Sequence, residues 1–139
     1  MIDFNYEVDF ELNYESYYTD WIYRLVESEN FEMGPISFVF CSDDYLLEIN
    51  MQYLDHETYT DIITFDYCEG RMVSGDIFIS TERVRENAGV YQVAFQEELL
   101  RVMAHGLLHL MKYKDKSVRD RELMRQKEDE KIKLFHVEH

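Results

Sequence analysis

Two histidines and an aspartate near the end of one apolar segment are the residues best suited to chemistry. His105 and His109 are four positions apart, which places both imidazoles on one face of a helix. Two nitrogens at that spacing can bind one metal ion while the helix stays regular. Asp115 lies just beyond the expected helix end and can fold back as a third ligand. Three protein ligands leave a position for water, as in catalytic zinc sites, so the spacing predicts one metal ion per chain, zinc or another divalent metal.

The segment that carries the two histidines, residues 95–111, is apolar around almost its whole circumference. Such a helix lies in the middle of a protein. Histidines on a buried helix are costly unless a ligand or a hydrogen bond satisfies them. The alternative to metal binding is therefore a pair of structural histidines, with Asp115 as a solvated loop charge.

The elements around this helix follow from the spacing of apolar residues. The pattern indicates strands over 4–12, 36–42, 61–67 and 75–80. It indicates helices over 16–30, 43–53 and 118–134, and one that begins at Glu82 and breaks near Gly89. Gly34 and Pro35 interrupt the chain before the second strand. This order predicts an α+β fold, a single domain over residues 1–139, in which a small mixed sheet of about four strands and the other helices surround the central helix with the metal ligands.

Apolar residues at helical spacing also predict which faces of two outer helices are buried. For the first helix we expect this face to consist of Tyr17, Trp21, Leu25 and Val26. For the last, charged helix, we expect it to consist of Val118, Leu123, Ile132 and Leu134.

The composition limits the class of protein. With 139 residues, 46% of them hydrophobic, the chain can bury one compact core. No stretch approaches the ~18 apolar residues of a membrane span, and the first residues lack a secretory signal. Cys41 and Cys68 are expected to be reduced thiols in apolar surroundings. We therefore expect a cytoplasmic monomer with no membrane partner.

Charge is distributed unevenly along the chain. The net charge of −15 argues by itself against a nucleic-acid partner. Residues 1–70 contain one cation, Arg24, and 17 acids, whereas residues 71–139 contain 13 lysines and arginines and 12 acids. Nine of these cations lie between Lys112 and Lys133. The chain therefore presents either two solvated surfaces or a functional cation-rich end near its C-terminus.

The stretch HGLLHLMKYKD, residues 105–115, resembles the signature H-G-x-L-H-L-x-G-Y-D-H of the YbeY endoribonuclease family of bacterial rRNA maturation factors. Asn50, Tyr53, the strand TDIITF and the run Gly75-Asp76-Ile77 resemble other family segments in the same order, so that the resemblance covers roughly residues 36–125. All three histidines of the family pattern bind zinc. The resemblance therefore implies that His105 and His109 are metal ligands and catalytic residues, and that Asp115 takes the third ligand position.

The same resemblance implies a function and partners. It implies a zinc-dependent, single-strand-specific endoribonuclease that acts in ribosomal RNA maturation and ribosome quality control. The implied chemistry is metal-assisted phosphodiester cleavage, with a coordinated water activated near neutral pH. The implied partners are ribosomal RNA, the small ribosomal subunit and ribosome-associated proteins.

The chain departs from the family pattern at several positions. Asp115 replaces a histidine, Lys112 replaces a glycine suited to a left-handed helix exit, and Lys114 replaces an aspartate. Leu54 stands where the family has a functionally important arginine. If that arginine holds phosphate, another cation must replace it, and the candidates for binding RNA are Arg71, Arg101, Lys112, Lys114 and Lys116.

Other polar residues allow two interpretations each. Asp61 and Asp76 either support the metal ligands or form caps and ion pairs in turns. Tyr113 either stacks on a base or packs in the core. His136 and His139 have a spacing that can bind metal but are expected to form a frayed tail, and His56 lies in an expected loop.

Three other functions remain open at this point. A metalloprotease has similar ligand spacing, but its general-base glutamate follows the first histidine, where this chain has Gly106. A non-haem iron enzyme can use two histidines and one carboxylate. A metal-stabilised ribosome assembly factor without catalytic activity is consistent with Leu54 and Asp115.

Overall fold

The computed structural model of the chain describes residues 1–54 and 60–138. His56 and His139, mentioned above, lie outside these residues. The described residues form four strands and five helices, with these bounds: β1 Ile2–Tyr6, α1 Glu15–Ser28, β2 Glu32–Cys41, α2 Asp43–Leu54, β3 Ile62–Asp66, β4 Met72–Ser80, α3 Thr81–Tyr91, α4 Phe95–Leu110 and α5 Val118–Glu138.

The four strands form one mixed sheet in the order β1-β2-β4-β3. β1, β2 and β4 are parallel, and β3 runs antiparallel to β4. α1 and α4 pack against the sheet, and α5 packs on both of these helices. A smaller apolar cluster, centred on Cys41, Leu46 and Ile63, joins α2 to the other face. The expected α+β fold with a four-stranded mixed sheet is confirmed.

α4 is the central helix of the fold, as its all-round apolar sequence predicts. Its buried residues include Leu100, Met103, Leu107 and Leu108. Gly106 lies where α4 meets the sheet: a Cβ at that position would be 2.8 Å from Ile62 Cδ1. The histidine side chains are the partly exposed exception, with 23% exposure for His105 and 29% for His109. The helix is therefore buried on nearly all sides and open where the candidate ligands project.

Strand boundaries differ from the sequence prediction, most of all at the end of β1 and at the start of β2. β1 ends at Tyr6, because the chain turns after it and the Phe10 N–H donates to the carbonyl of Val8 at 2.8 Å. β2 begins at Glu32 and continues through Pro35, because a bulge between Met33 and Ile36 removes the pairing that a proline cannot make. The break expected at Gly34 and Pro35 is therefore wrong.

The helices differ from the prediction in extent and in buried face. α3 continues past Gly89 to Tyr91 and ends at Gln92, whose φ is 57°. Tyr18 and Ile22, rather than Tyr17, complete the buried face of α1. In α5 the predicted Val118 and Leu123 are exposed, and the buried positions are Met124, Glu128, Lys131, Ile132 and Phe135. Apolar periodicity missed this face because two of its members are charged residues buried in ion pairs.

No helix in the described ranges combines the length and the apolar character needed to cross a membrane. Both cysteines are free thiols, with Cys41 buried and Cys68 partly buried.

Candidate metal centre

His105, His109 and Asp115 lie together at the open side of α4. One nitrogen of each imidazole and one oxygen of the carboxylate all lie within 4.8 Å of one another. Asp115 Oδ2 is 3.3 Å from His105 Nε2 and 3.2 Å from His109 Nε2. The imidazole rings are 4.5 Å apart between centroids and nearly perpendicular, at 85°. Ligand atoms at these separations can reach one ion placed between them.

The hydrogen bonds on the far side of each ring fix which nitrogen faces the centre. His109 Nδ1 is 3.0 Å from the carbonyl oxygen of Tyr113. A carbonyl only accepts, so the Nδ1–H donates and Nε2 carries the lone pair. His105 Nδ1 is 2.7 Å from Glu128 Oε2, a carboxylate that likewise accepts. When the rings are neutral, both Nε2 lone pairs therefore face the Asp115 carboxylate, an arrangement that a cation satisfies.

The turn after α4 supplies both the third ligand and the partner of His109. Lys112 has a φ of 78°, and its N–H donates to the carbonyl of His109 at 3.0 Å. The Tyr113 N–H donates to the carbonyl of Leu108 at 3.0 Å. These two bonds form a Schellman motif, which reverses the chain at the helix end. The reversal directs the Tyr113 carbonyl at His109 and returns Asp115 to the histidines.

Glu128 is the partner of His105 that sequence reasoning missed. It lies on α5 with only 6% exposure. Its Oε2 accepts from His105 at 2.7 Å, and its Oε1 accepts from Arg101 at 3.0 Å. A glutamate among many acids on a charged helix gives no signal of this role. Glu128 lies at helical spacing from Met124, Lys131 and Phe135 on the buried face of α5, and this spacing is the pattern that could have indicated its burial.

The surroundings of His105 favour positive charge. Burial opposes the charged imidazole, but the hydrogen bond and charge of Glu128, with the charges of Asp115 and Asp61, raise the pKa of His105 above its usual value. Burial raises the pKa of Glu98, and the charge of Asp61 adds to the effect. Several carboxylates thus meet around the two imidazoles, and their combined potential attracts a cation.

Two connected cavities give access to the three ligands. One, of about 430 Å³, is lined by Asn50 and Leu54 of α2 and by residues 60–64. The other, of about 300 Å³, is lined by Tyr91, Glu98 and Arg125, among others. Both include Asp61, Ile62, His105 and Asp115 in their walls. The candidate ligands therefore lie in a cleft formed by two cavities that share part of their walls.

Only one of the two aspartates considered as supports lies at this cleft. Asp61 lines both cavities beside His105, and burial raises the pKa of its carboxyl group. Asp76 lies on the opposite face of the sheet, because neighbouring residues of β4 alternate between faces. It accepts a hydrogen bond from the Tyr67 hydroxyl at 3.2 Å and lines a separate cavity of about 590 Å³ under α2. The possible supporting role of Asp76 is therefore wrong.

Three of the cations considered for RNA binding have partners within the protein. Arg71 donates to the Asn30 carbonyl at 2.6 Å, away from the cleft. Arg101 is paired with Glu128 and Asp129. Lys112 is 3.1 Å from Asp66 but is two-thirds exposed. Lys114 and Lys116 both lie on the turn that carries Asp115, and both are exposed.

The structure also shows the surroundings of Tyr113 and His136. The Tyr113 hydroxyl donates to Glu29 at 2.6 Å and its ring lies 5.7 Å from the Lys127 ammonium, so this side chain packs within the protein. His136 belongs to α5 and its Nε2 is 2.5 Å from Glu97, so the frayed tail expected there does not begin at His136.

The three candidate ligands fit a divalent cation by the chemistry of their donors. Two neutral imidazole nitrogens and one carboxylate are a donor set suited to Zn²⁺ and to other divalent transition metals. The lone pairs converge without a described N–H or O–H group between them, and each ring is held from behind by an acceptor. The partial exposure of all three leaves room for a further ligand.

The fold and this centre together define a small α+β domain with a cleft-exposed, three-ligand candidate metal site. Comparison with known proteins gives the family. The chain matches the family described as Endoribonuclease YbeY over residues 2–136. It therefore belongs to the YbeY endoribonuclease family, as the resemblance of residues 105–115 implied.

Relatives share most of their length with this chain. Endoribonuclease YbeY of Flavobacterium psychrophilum is 59% identical over 137 residues, which cover 99% of this chain and 98% of the relative. Endoribonuclease YbeY of Bacteroides thetaiotaomicron is 46% identical over 116 residues, covering 84% and 85%. The solution structure of TM1509 from Thermotoga maritima has a similar fold, with a TM-score of 0.69 at 24% identity, covering 99% of this chain and 91% of that one.

Proposed function

We propose that this protein is a metal-dependent endoribonuclease that cleaves single-stranded RNA during ribosomal RNA maturation. Zinc is the metal we propose, held by His105, His109 and Asp115. Membership of the YbeY endoribonuclease family supports the activity. The observation that carries the metal dependence is the convergence of two Nε2 lone pairs and one carboxylate oxygen within 4.8 Å at a solvent-open cleft.

The residues of the chain divide the work of the site. A divalent cation bound there supplies Lewis-acid chemistry, which activates water and offsets the charge that develops on a phosphodiester. His105 and His109 hold their Nε2 atoms toward the cleft, and Asp115 completes the set. Asp61 extends the acidic floor beside them. We propose that the cleft walls orient the RNA strand beside these residues.

A single strand is the form of RNA that suits this cleft. A folded duplex presents its phosphates on a wide, rigid helix, whereas a single strand can bend to reach a recessed group. The imidazoles lie in the cleft floor, more than two-thirds buried. We therefore propose single-stranded ribosomal RNA, in or near the small ribosomal subunit, as the substrate, and ribosome-associated proteins as further partners. We propose the cytoplasm as the location and the monomer as the active form.

A peptidase function is disfavoured by the residue that follows the first histidine. Peptidases with this ligand spacing place a general-base glutamate there. Here the position is Gly106, which is buried and faces Ile62 and Ile77 across 2.8–3.2 Å from its missing Cβ. A glutamate side chain has no space on that side of α4, and its carboxylate would point into the core rather than into the cleft.

Cleavage of a labelled single-stranded RNA tests the proposed function. The zinc-loaded protein is expected to cleave it. Removal of metal with a chelator is expected to stop cleavage, and zinc is expected to restore it. His105→Ala is expected to lose activity, while His136→Ala, which changes a histidine outside the cleft, is expected to retain it. Cleavage that persists in the chelated protein or in His105→Ala would contradict the proposal.

A metal-stabilised assembly factor without catalytic activity is the second candidate. The observation in its favour is Leu54, an exposed side chain in the cleft wall where the family pattern has an arginine. This candidate predicts that RNA binds to the zinc-loaded protein with no cleavage. The same assay, read for both bound and cut RNA, distinguishes the two functions.

A further inference from the structure

The two histidines of the candidate metal centre are held in different ways. His109 is held by the carbonyl of Tyr113, in the turn that ends its own helix. His105 is held by Glu128, which is 23 residues away in sequence and belongs to α5. One ligand is therefore supported locally, and the other depends on the packing of two helices.

We infer that Glu128 is a positioning residue of the metal centre, and that α5 thereby controls how tightly the centre binds its metal. The inference deepens the proposed function because it concerns the same site. Glu128 does not reach the ion position itself: it acts through His105, whose Nδ1–H donates to Glu128 Oε2 at 2.7 Å. This bond keeps the proton on Nδ1 and leaves Nε2 free to bind the metal.

Glu128 is itself held so that it cannot turn away. Its second oxygen, Oε1, accepts from Arg101 Nη1 at 3.0 Å, and Nη2 of the same guanidinium is 2.7 Å from Asp129. Arg101 lies one turn before His105 on α4, so the arginine and the histidine contact Glu128 from neighbouring turns. The chain Arg101–Glu128–His105 fixes the imidazole plane as well as its protonated nitrogen.

The burial of Glu128 is hard to explain by stability alone. Its side chain is 8% exposed, and removing a carboxylate from water is costly even when it is paired. An ion pair between α4 and α5 is already available at the surface, where Arg101 meets the half-exposed Asp129. A role in holding a metal ligand explains why a second, buried carboxylate lies beside it.

Asp129 provides a matched control for Glu128. It is the adjacent residue on α5, carries the same charge and contacts the same arginine. Among the described contacts it has none with His105. A variant of Asp129 therefore perturbs the α4–α5 ion pairs and the net charge of the protein without changing the partner of the imidazole.

Zinc affinity, measured by competition with a chromophoric chelator, tests the inference. We expect Glu128→Ala to bind Zn²⁺ about 10- to 100-fold more weakly than the unaltered protein. We expect Glu128→Gln, which keeps an oxygen acceptor for Nδ1–H, to lose less, and Asp129→Asn to bind as the unaltered protein does. Equal affinities for Glu128→Ala, Glu128→Gln and Asp129→Asn would overturn the inference. If Glu128→Ala does not fold, the near-isosteric Glu128→Gln decides the result by comparison with Asp129→Asn.

The tautomer of His105 gives a readout that a structural role would not change. In ¹⁵N NMR of the metal-free protein, at a pH where the imidazole is neutral, we expect the proton on Nδ1. In Glu128→Ala we expect a shift toward the form with the proton on Nε2, whereas Asp129→Asn keeps the original form. An unchanged tautomer in Glu128→Ala would overturn the inference.

The outcomes separate this inference from the proposed function. If zinc affinity follows Glu128 but no RNA is cleaved, the inference stands and the endoribonuclease proposal fails. If RNA is cleaved in a zinc-dependent way and Glu128→Ala binds zinc normally, the inference alone fails. A protein that binds no zinc at all would contradict both.

Discussion

At the scale of residues, the candidate centre is built from three ligands with unequal support. Two imidazoles leave α4 on one face, and the third donor comes from the turn. Asp115 is the most exposed of the three, at 38%. As a carboxylate it also brings a negative charge that a third histidine would not, which strengthens attraction for a cation and lowers the Lewis acidity that remains. In the proposed site, the aspartate would therefore strengthen metal binding more than activation of the bound water.

The first prediction concerns Asp115. Asp115→Ala is expected to weaken zinc binding by at least about 100-fold. Loss of a residue that only hydrogen-bonds to a metal ligand already lowers metal affinity by about 10- to 100-fold, and here a direct ligand is lost. Asp115→His is expected to keep one zinc per chain, because a histidine restores the donor of the family pattern. Elemental analysis of protein purified without chelators measures both. An unchanged zinc content and affinity in Asp115→Ala would remove this residue from the site.

Residue types and spacing predicted that the three candidate ligands lie together, as they do in the structure, but could not predict the groups that hold them. His105 and His109 can be recognised from the sequence because a spacing of four residues places both imidazoles on one face of a helix. Glu128 and the Tyr113 carbonyl do not stand out by residue type, because Glu128 is one of many acids on a charged helix and the carbonyl belongs to the backbone. Of the two roles left open for Asp76, support of the metal ligands fails because its side chain lies on the α2 face of the sheet, and the sequence does not fix which face of β4 meets α4.

At the scale of elements, the turn after α4 links local backbone conformation to the metal centre. Lys112 adopts a φ of 78°, which is unfavourable for a residue with a Cβ. The Schellman hydrogen bonds around it place both the Tyr113 carbonyl and Asp115. Lys112 therefore adopts an unfavourable backbone conformation at the position where the family pattern has glycine.

The second prediction follows from this cost. Lys112→Gly is expected to raise the free energy of unfolding by about 1 kcal/mol, because glycine adopts positive φ without a steric penalty. The substitution also removes the exposed ion pair between Lys112 and Asp66, but such a pair contributes little to the free energy of unfolding. Urea denaturation measures the change, with Lys114→Gly as a control in the same turn. A loss of stability in Lys112→Gly equal to that in Lys114→Gly would contradict this account of the turn.

A buried ion cluster joins α5 to the end of α1. Lys131, 1% exposed at its side chain, is 2.6 Å from Glu29, and Lys127 is 3.1 Å from the same carboxylate oxygen. Burial opposes ionisation of Glu29, but its hydrogen bonds with Lys131, Tyr113 and Lys127 outweigh it and lower its pKa to about 2. This cluster holds α5, and therefore Glu128, against the rest of the fold.

The third prediction concerns pH. A carboxyl group whose pKa is lower in the folded state stabilises that state above its unfolded pKa of about 4.5, and the contribution is lost as the pH falls toward 2. We therefore expect Glu29→Gln to cost about 2 to 4 kcal/mol at pH 7. The difference from the unaltered protein should shrink between pH 5 and pH 2.

Urea denaturation across this pH range measures the effect. Glu27→Gln changes an exposed acid on α1 and serves as the control. A stability difference for Glu29→Gln that stays constant from pH 7 to pH 2 would show that the carboxylate charge is not the source of the stabilisation.

At the scale of the whole molecule, the order of elements predicted the α+β fold, but not all of its boundaries. The long apolar run of α4 predicted a buried helix, and the shorter apolar runs predicted the strands. The extension of β2 through Pro35 depends on a bulge, which reflects pairing with β4 rather than the local sequence. The buried face of α5 depends on ion pairs with α1 and α4, so its apolar residues alone could not define it.

The fourth prediction links metal binding to the stability of the whole domain. A ligand that binds only the folded state stabilises it by mass action, by about 2.7 kcal/mol at 100 times its Kd. For a chain of this size, this corresponds to a rise in Tm of roughly 5–10 °C. We expect added zinc to raise the Tm of the metal-free protein in a thermal scan, and to leave that of His105→Ala unchanged. A similar rise in both would place the stabilising zinc elsewhere.

The central claim is that His105, His109 and Asp115 hold one divalent cation, and diffraction at the zinc absorption edge tests it most directly. In crystals of the zinc-loaded protein, the account predicts one anomalous peak about 2.0–2.2 Å from both Nε2 atoms and from an oxygen of Asp115. Glu128 should remain on His105 Nδ1 and should not bind the ion. A peak at other residues, or bound through Nδ1, would contradict the account, as would no peak at all.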